Sequence, residues 1–265
     1  MGDNVYLEQY YNSYDEDGRL LSKHGQVEYI TTMKYIHDLL AGYEKENIRI
    51  LEVGAGTGRY SLALAHEGYR VDALELIAHN LEVLRSKILD TDKLCAVQGN
   101  ALDLSVYEDE TFDMTLVLGP MYHLPTEENK KKVLEEAVRV TKKKGFILIA
   151  YCMNEATVIN YCFIKEHIGE CLDNNMLTED FHCIYTPENL FEMVRVEDIK
   201  KLTDQMPLER LGLIATDGAS NYLKDVIDAM DENAFRMWLK YHLATCERQD
   251  LIGASNHSLD ILKKI

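Results

Sequence analysis

The strongest chemical signal in this chain is the run Ile50-Leu51-Glu52-Val53-Gly54-Ala55-Gly56-Thr57-Gly58, an apolar stretch that leads straight into three glycines. Without side chains, the glycines let a ligand lie against the main chain, and the N–H groups at the start of a following helix offer it donors. That arrangement suits a nucleoside. Spacing narrows the choice: a dinucleotide loop, GxGxxG, needs glycine where Arg59 stands, and a phosphate loop, GxxxxGK[ST], needs lysine followed by serine or threonine where Tyr60 and Ser61 lie. Glu52 sets a negative charge beside the loop, which repels a pyrophosphate and favours a ligand carrying an amino group and a sulfonium. Glu75, at the end of the next apolar run, can accept both hydroxyls of a ribose.

Holding these groups in place takes a strand before the loop and a helix after it. The apolar pattern predicts strands over 50–53, 71–76, 94–98, 114–118 and 146–150, with helices over 60–66, 81–88 and 127–140 between them. Strands alternating with helices imply a parallel sheet covered on both faces, a doubly wound α/β fold. Ahead of it, seven of the 16 tyrosines fall before residue 45, and helical periodicity begins only near Gln26. This reads as an aromatic arm leading into a helix. Residues 154–203, which include Pro187, are too long for a simple crossover and read as an inserted lid over the carboxyl edge of the sheet. A strand over 211–216, helices over 222–230 and 235–246, and a last strand over 258–263 complete the chain. The expected organisation is an arm and helix (1–46), a ligand-binding core (47–153), a lid (154–205) and a completion of the core sheet (206–265).

Composition excludes several roles. With 28 Lys+Arg against 45 Asp+Glu the formal charge is −17, so the cationic field that draws in phosphate backbones is missing. Nucleic acid and anionic membrane are poor partners, and no apolar run approaches the ~18 residues of a membrane span. The six cysteines form no CxxC pair and read as reduced, as in the cytoplasm. His167 and Cys171, one helical turn apart, have no second pair to close a tetrahedral metal site, so no metal is expected.

From residue 49 to about 152 the chain resembles the class I S-adenosylmethionine-dependent methyltransferases. Glu52, Gly54, Ala55, Gly56 and Gly58 match the family's glycine motif, which implies a loop around the methionine part of the cofactor. Glu75 matches the ribose-binding acid and Leu76 the apolar residue beside the adenine. Gln98-Gly99-Asn100-Ala101 stands where relatives often have Gly-Asp-Ala; Asn100 replaces the acid and can accept the adenine amino group through its amide oxygen. Leu118-Gly119-Pro120-Met121-Tyr122-His123-Leu124 looks like the loop after the fourth strand in a subgroup with a Gly-Pro-x-Tyr-His-Leu signature. The resemblance implies a seven-stranded sheet with an antiparallel last strand, S-adenosyl-L-methionine as cofactor and methyl transfer as the reaction.

Methyl transfer from a sulfonium leaves a neutral sulfur that needs no proton, so positioning, which can contribute ~7–11 kcal/mol, outweighs a general base. Tyr122 and His123 sit where cofactor and acceptor should meet: His123 is the candidate base or acceptor contact, and Tyr122 a packing surface. Tyr11 and Arg19, in the arm, either fold over the cofactor, with Arg19 on its carboxylate, or cover the sheet edge. His24 and Glu28, one turn apart, either share the pocket or form a surface hydrogen bond, and His182, Tyr185 and Arg195 are candidate acceptor contacts from the lid. The loop lacks the Asp/Asn-Pro-Pro-aromatic motif used on adenine or glutamine amino groups, and the charge balance also points to a small-molecule acceptor. A non-catalytic cofactor-binding sensor or partner subunit would keep the same residues. Oligomeric state stays open, a homodimer included.

Overall fold

A computed structural model describes residues 3–14, 18–186, 188–204 and 206–265. Pro187 and parts of the expected arm and lid lie outside them. The chain opens with helix α1 (Asp3–Ser13) and helix α2 (Lys23–Leu40), the latter capped by the Ser22 side chain, which accepts the Gly25 N–H. The expected arm thus contains a helix that periodicity did not reveal. Leu7 lines one cavity, Tyr10 and the following Tyr14 line another, and Tyr11 lines both.

The core follows as β1 (Arg49–Val53), α3 (Arg59–His66), β2 (Arg70–Glu75), α4 (Ala78–Lys87), β3 (Leu94–Gln98), β4 (Phe112–Val117), α5 (Glu127–Val140) and β5 (Thr141–Met153). The inserted segment contributes α6 (Asn154–Thr157), a π-helical turn (Val158–Ile164), α7 (Ile168–Asp173), the two-residue strand β6 (Met193–Val194) and α8 (Val196–Thr203). Then come β7 (Leu208–Ala215), α9 (Lys224–Asp228), α10 (Glu232–Thr245) and β8 (His257–Lys264).

The strands form one sheet in the order β3-β2-β1-β4-β5-β8-β7, with β6 paired to β5. β8 runs antiparallel to both β5 and β7, and the other pairs are parallel. The doubly wound, mostly parallel fold with an antiparallel last strand is therefore present, with β6 as an eighth strand. Successive residues face opposite sides of a strand. Leu51 and Val53 meet α5 and α8 residues such as Leu134 and Ile199, while Ile50 and Leu148 meet α2 and α3 through Ile36 and Leu64. Both faces are thus covered, which is why these strands read as unbroken apolar runs. Strand β5 starts earlier than its apolar run because Lys142 pairs with Asp113 at 2.8 Å and a bulge lies between Phe112 and Met114.

Candidate active site

Residues that follow the carboxyl ends of β1, β2, β3 and β4 converge on one crevice of about 240 Å³. The turn after β1 is tied to β2: the Gly54 and Ala55 N–H groups both donate to the Leu74 carbonyl, at 2.7 and 3.1 Å. Gly54 and Gly56 have φ of +74° and +55°, the left-handed region that favours glycine. A Cβ on Gly54 would also lie 2.7 Å from the Pro120 ring. Gly58, at φ +88°, is the exception among the predicted residues, because it does not line the crevice. A Cβ there would come 2.2 Å from the Leu84 side chain, so this glycine lets α3 and α4 pack together.

Two buried carboxyl groups flank the turn. Glu75 accepts the Gly56 N–H at 2.7 Å and the Ile77 N–H at 2.8 Å, so it braces the loop from the end of β2. Glu52 is 2% exposed and accepts the Ser61 hydroxyl. Burial, reinforced by the nearby Glu75 charge and opposed by the Ser61 bond, pushes the Glu52 carboxyl up to about 8. A cation placed beside it favours the ionised form. This donor and acceptor set fits a positively charged nucleoside: main-chain N–H groups, two acids, and apolar walls from Leu76 and Ala101.

Leu118, Gly119 and Asn100 also line the crevice. The Asn100 amide oxygen accepts the Leu102 N–H at 3.0 Å, so it shapes its own turn. Sequence reasoning missed Leu7, Thr57, Ile77, Asn80 and Leu102 on the same wall. Ile77 and Leu102 are close neighbours of predicted residues, and Leu7 lies one turn before Tyr11, whereas nothing in the pattern marks Asn80.

His123 is engaged at both ring nitrogens. Its Nδ1 donates to the Leu190 carbonyl at 2.9 Å, which leaves Nε2 to accept the Tyr11 hydroxyl, also at 2.9 Å. Burial lowers its pKa to about 4, against the upward pull of the Leu190 bond. A neutral imidazole with both nitrogens engaged acts on an acceptor only through Tyr11. Tyr122 donates to the Leu118 carbonyl at 2.9 Å, and its ring separates the crevice from a second cavity. Arg19 borders both spaces and directs its terminal nitrogens to Glu28, at 2.9 and 3.3 Å, rather than into the crevice alone.

Beyond Tyr122, the second cavity brings together Glu28, His24, Asp217 and His257. His24 also pairs with Asp228 at 2.7 Å. Burial disfavours charge on His257, but Glu28, Cys152 and Asp217 outweigh it and raise its pKa well above the usual value. Donor atoms of Glu28, Asp217 and His257 lie within 4.8 Å of one another, the one metal-type grouping among the described residues. His167 instead pairs with Glu170, and Cys171 packs against Cys162. The lid candidates are not in either cavity: Arg195 ties Glu155 to Asp180, and His182 lies 3.5 Å from Asp198. Tyr185 lines neither space.

Residues 51–149 match a family model described as a methyltransferase domain. The chain is 36% identical over 101 residues to a demethylmenaquinone methyltransferase of Clavibacter sepedonicus, covering 38% of this chain and 40% of that protein. It is 34% identical over 107 residues to a cypemycin N-terminal methyltransferase of Streptomyces, covering 40% and 42%. The match thus spans well under half the length of these curated relatives. Among solved structures, magnesium protoporphyrin IX methyltransferase of Synechocystis, with bound S-adenosylhomocysteine, superposes with a TM-score of 0.64 at 11% identity, covering 99% of this chain and 100% of that one. A possible histamine N-methyltransferase from Thermotoga maritima gives 0.58 at 16% identity, covering 98% and 99%. No helix among the described residues is long and apolar enough to cross a membrane. Residues 51–149 therefore resemble a methyltransferase domain, and the chain has the fold of the class I S-adenosylmethionine-dependent methyltransferases.

Proposed function

We propose that this protein transfers a methyl group from S-adenosylmethionine to a small-molecule acceptor, releasing S-adenosylhomocysteine. The observation that carries this reading is the glycine turn braced by Glu75, with Glu52 buried behind it, at the carboxyl ends of β1 and β2. When bound, the cofactor supplies a methyl on a sulfonium, whose departure leaves a neutral thioether.

The chain's own residues hold and orient. Glu75 and the main chain of 54–57 hold the ribose and methionine ends, Leu76, Ile77 and Ala101 enclose the base, and Asn100 stands at the base edge. Tyr11 and Tyr122 shut water out of the junction between the cavities, where an in-line approach has to be kept. Tyr122 of the Gly119-Pro120-Met121-Tyr122-His123-Leu124 turn lines both cavities and supports that partition. His123 steadies Tyr11 rather than titrating near neutral pH. Thr157, Phe191 and Met193 of the inserted segment line the second cavity, which supports a role for that segment as a lid, and six free cysteines fit a reducing, cytoplasmic setting.

Incubating the protein with methyl-labelled S-adenosylmethionine and pooled small metabolites should label a small molecule and release S-adenosylhomocysteine. Binding of the cofactor with no label transferred across broad pools would instead favour a non-catalytic binder.

A further inference from the structure

Beyond Tyr122 lies the second cavity, about 480 Å³, which shares Tyr11, Arg19 and Tyr122 with the crevice. The two spaces meet at those three side chains. Part of the second wall is aromatic: Tyr10 and Tyr14 stack at 5.0 Å, Phe191 meets Tyr10 edge-on at 5.8 Å, and it stacks over Tyr122 at 5.9 Å. Another part is acidic. The Glu28 and Asp217 side chains are 14% and 4% exposed and are joined through His257 Nδ1, at 3.3 and 2.9 Å.

We propose that this cavity receives the methyl acceptor and that the acceptor is a small amine, bound as its ammonium ion. The inference rests on the neighbouring crevice being the nucleoside site. The carboxylates of Asp217 and Glu28, whose charge is shared with Arg19 and His257, offer an ammonium acceptor oxygens, and the ring faces of Tyr10, Tyr14, Tyr122 and Phe191 attract the same cation through their quadrupoles. An anion meets the reverse. Arg19 already directs its terminal nitrogens to Glu28, His257 Nδ1 lies between two carboxylates, and an anionic group would have to lose water beside both acids. In the transfer, the amine gives one N–H proton to a carboxylate oxygen of the cluster. Its lone pair then forms the bond to the methyl carbon as the carbon–sulfur pair returns to sulfur.

Three probes of similar size test this on protein saturated with S-adenosylhomocysteine: phenyltrimethylammonium, which cannot be methylated, neutral 2-phenyl-2-propanol and anionic benzoate. Calorimetry should show the ammonium binding at least about tenfold more tightly than the alcohol, with no binding of benzoate. Glu28→Gln should weaken the ammonium about tenfold or more. Tyr14→Leu, at an exposed ring, should weaken it several-fold, and both variants should keep the affinity for S-adenosylhomocysteine and the circular dichroism spectrum. Preference for benzoate, equal binding of all three probes, or an ammonium affinity untouched by both variants would overturn the proposal. So would tight Mn²⁺ binding that Glu28→Gln abolishes while the ammonium fails to bind. If S-adenosylhomocysteine itself does not bind, the nucleoside reading fails and takes this one with it. If it binds but the ammonium is not preferred, this inference alone fails.

Discussion

His123 offers a quantitative test of how the partition between the cavities is held. In the folded protein it is neutral, with Nδ1–H on the Leu190 carbonyl and Nε2 on the Tyr11 hydroxyl, and its pKa is lowered from 6.5 to about 4 chiefly by burial. In the unfolded chain it titrates near its ordinary value. Between those two values the unfolded state binds more protons, so stability falls as pH falls from about 6.5 to about 4 and this site adds no further loss below that. With these two pKa values the site lowers stability by about 2 kcal/mol between pH 7 and pH 5, and by about 3 kcal/mol by pH 4. His123→Gln keeps an acceptor for Tyr11 and a donor for Leu190 but cannot titrate. Urea unfolding followed by circular dichroism at pH 7, 6 and 5 should therefore show the wild type losing about 2 kcal/mol more than the variant. Parallel losses in the two proteins would refute the buried, neutral imidazole.

Other substitutions separate binding from folding. Gly56→Val places a branched side chain in the left-handed turn that faces the crevice, and should abolish S-adenosylhomocysteine binding in calorimetry while the circular dichroism spectrum is kept. Gly58→Ala drives a Cβ toward Leu84, behind the turn, and should cost about 1–3 kcal/mol in denaturant unfolding with affinity changed much less than in Gly56→Val. Asp260, fully buried on β8, is paired bidentately with Arg210 of β7 at 2.7 and 2.9 Å. Asp260→Ala leaves that guanidinium without its partner and should cost about 3 kcal/mol in the same unfolding assay.

The fold was legible where both sides of a strand are buried. Strands β1, β2 and β4 lie within one or two residues of the predicted bounds, because packing on two faces leaves long apolar runs; edge strand β3 and amphipathic helix α5 also have the predicted bounds. Helix α1 escaped notice because its informative residues divide between two cavities, so it shows no single apolar stripe. At the crevice, residue type and spacing identified the wall around the glycine turn. They did not separate Gly56, which faces the ligand space, from Gly58, which faces Leu84, since both glycines satisfy the same motif. Nor did they reveal Asp217 and His257, which reach the second cavity from beyond β7 and from the start of β8 and are close to Glu28 only once the sheet has formed. Nor could they show how His123 is held, because the Leu190 carbonyl that fixes its tautomer lies far away in sequence.

A crystal structure with S-adenosylhomocysteine tests the central claim most directly. It should show the nucleoside in the crevice after β1, its ribose hydroxyls on Glu75 and its base between Leu76 and Ala101. A crevice left empty at saturating ligand, or one that takes NAD in its place, would contradict the account.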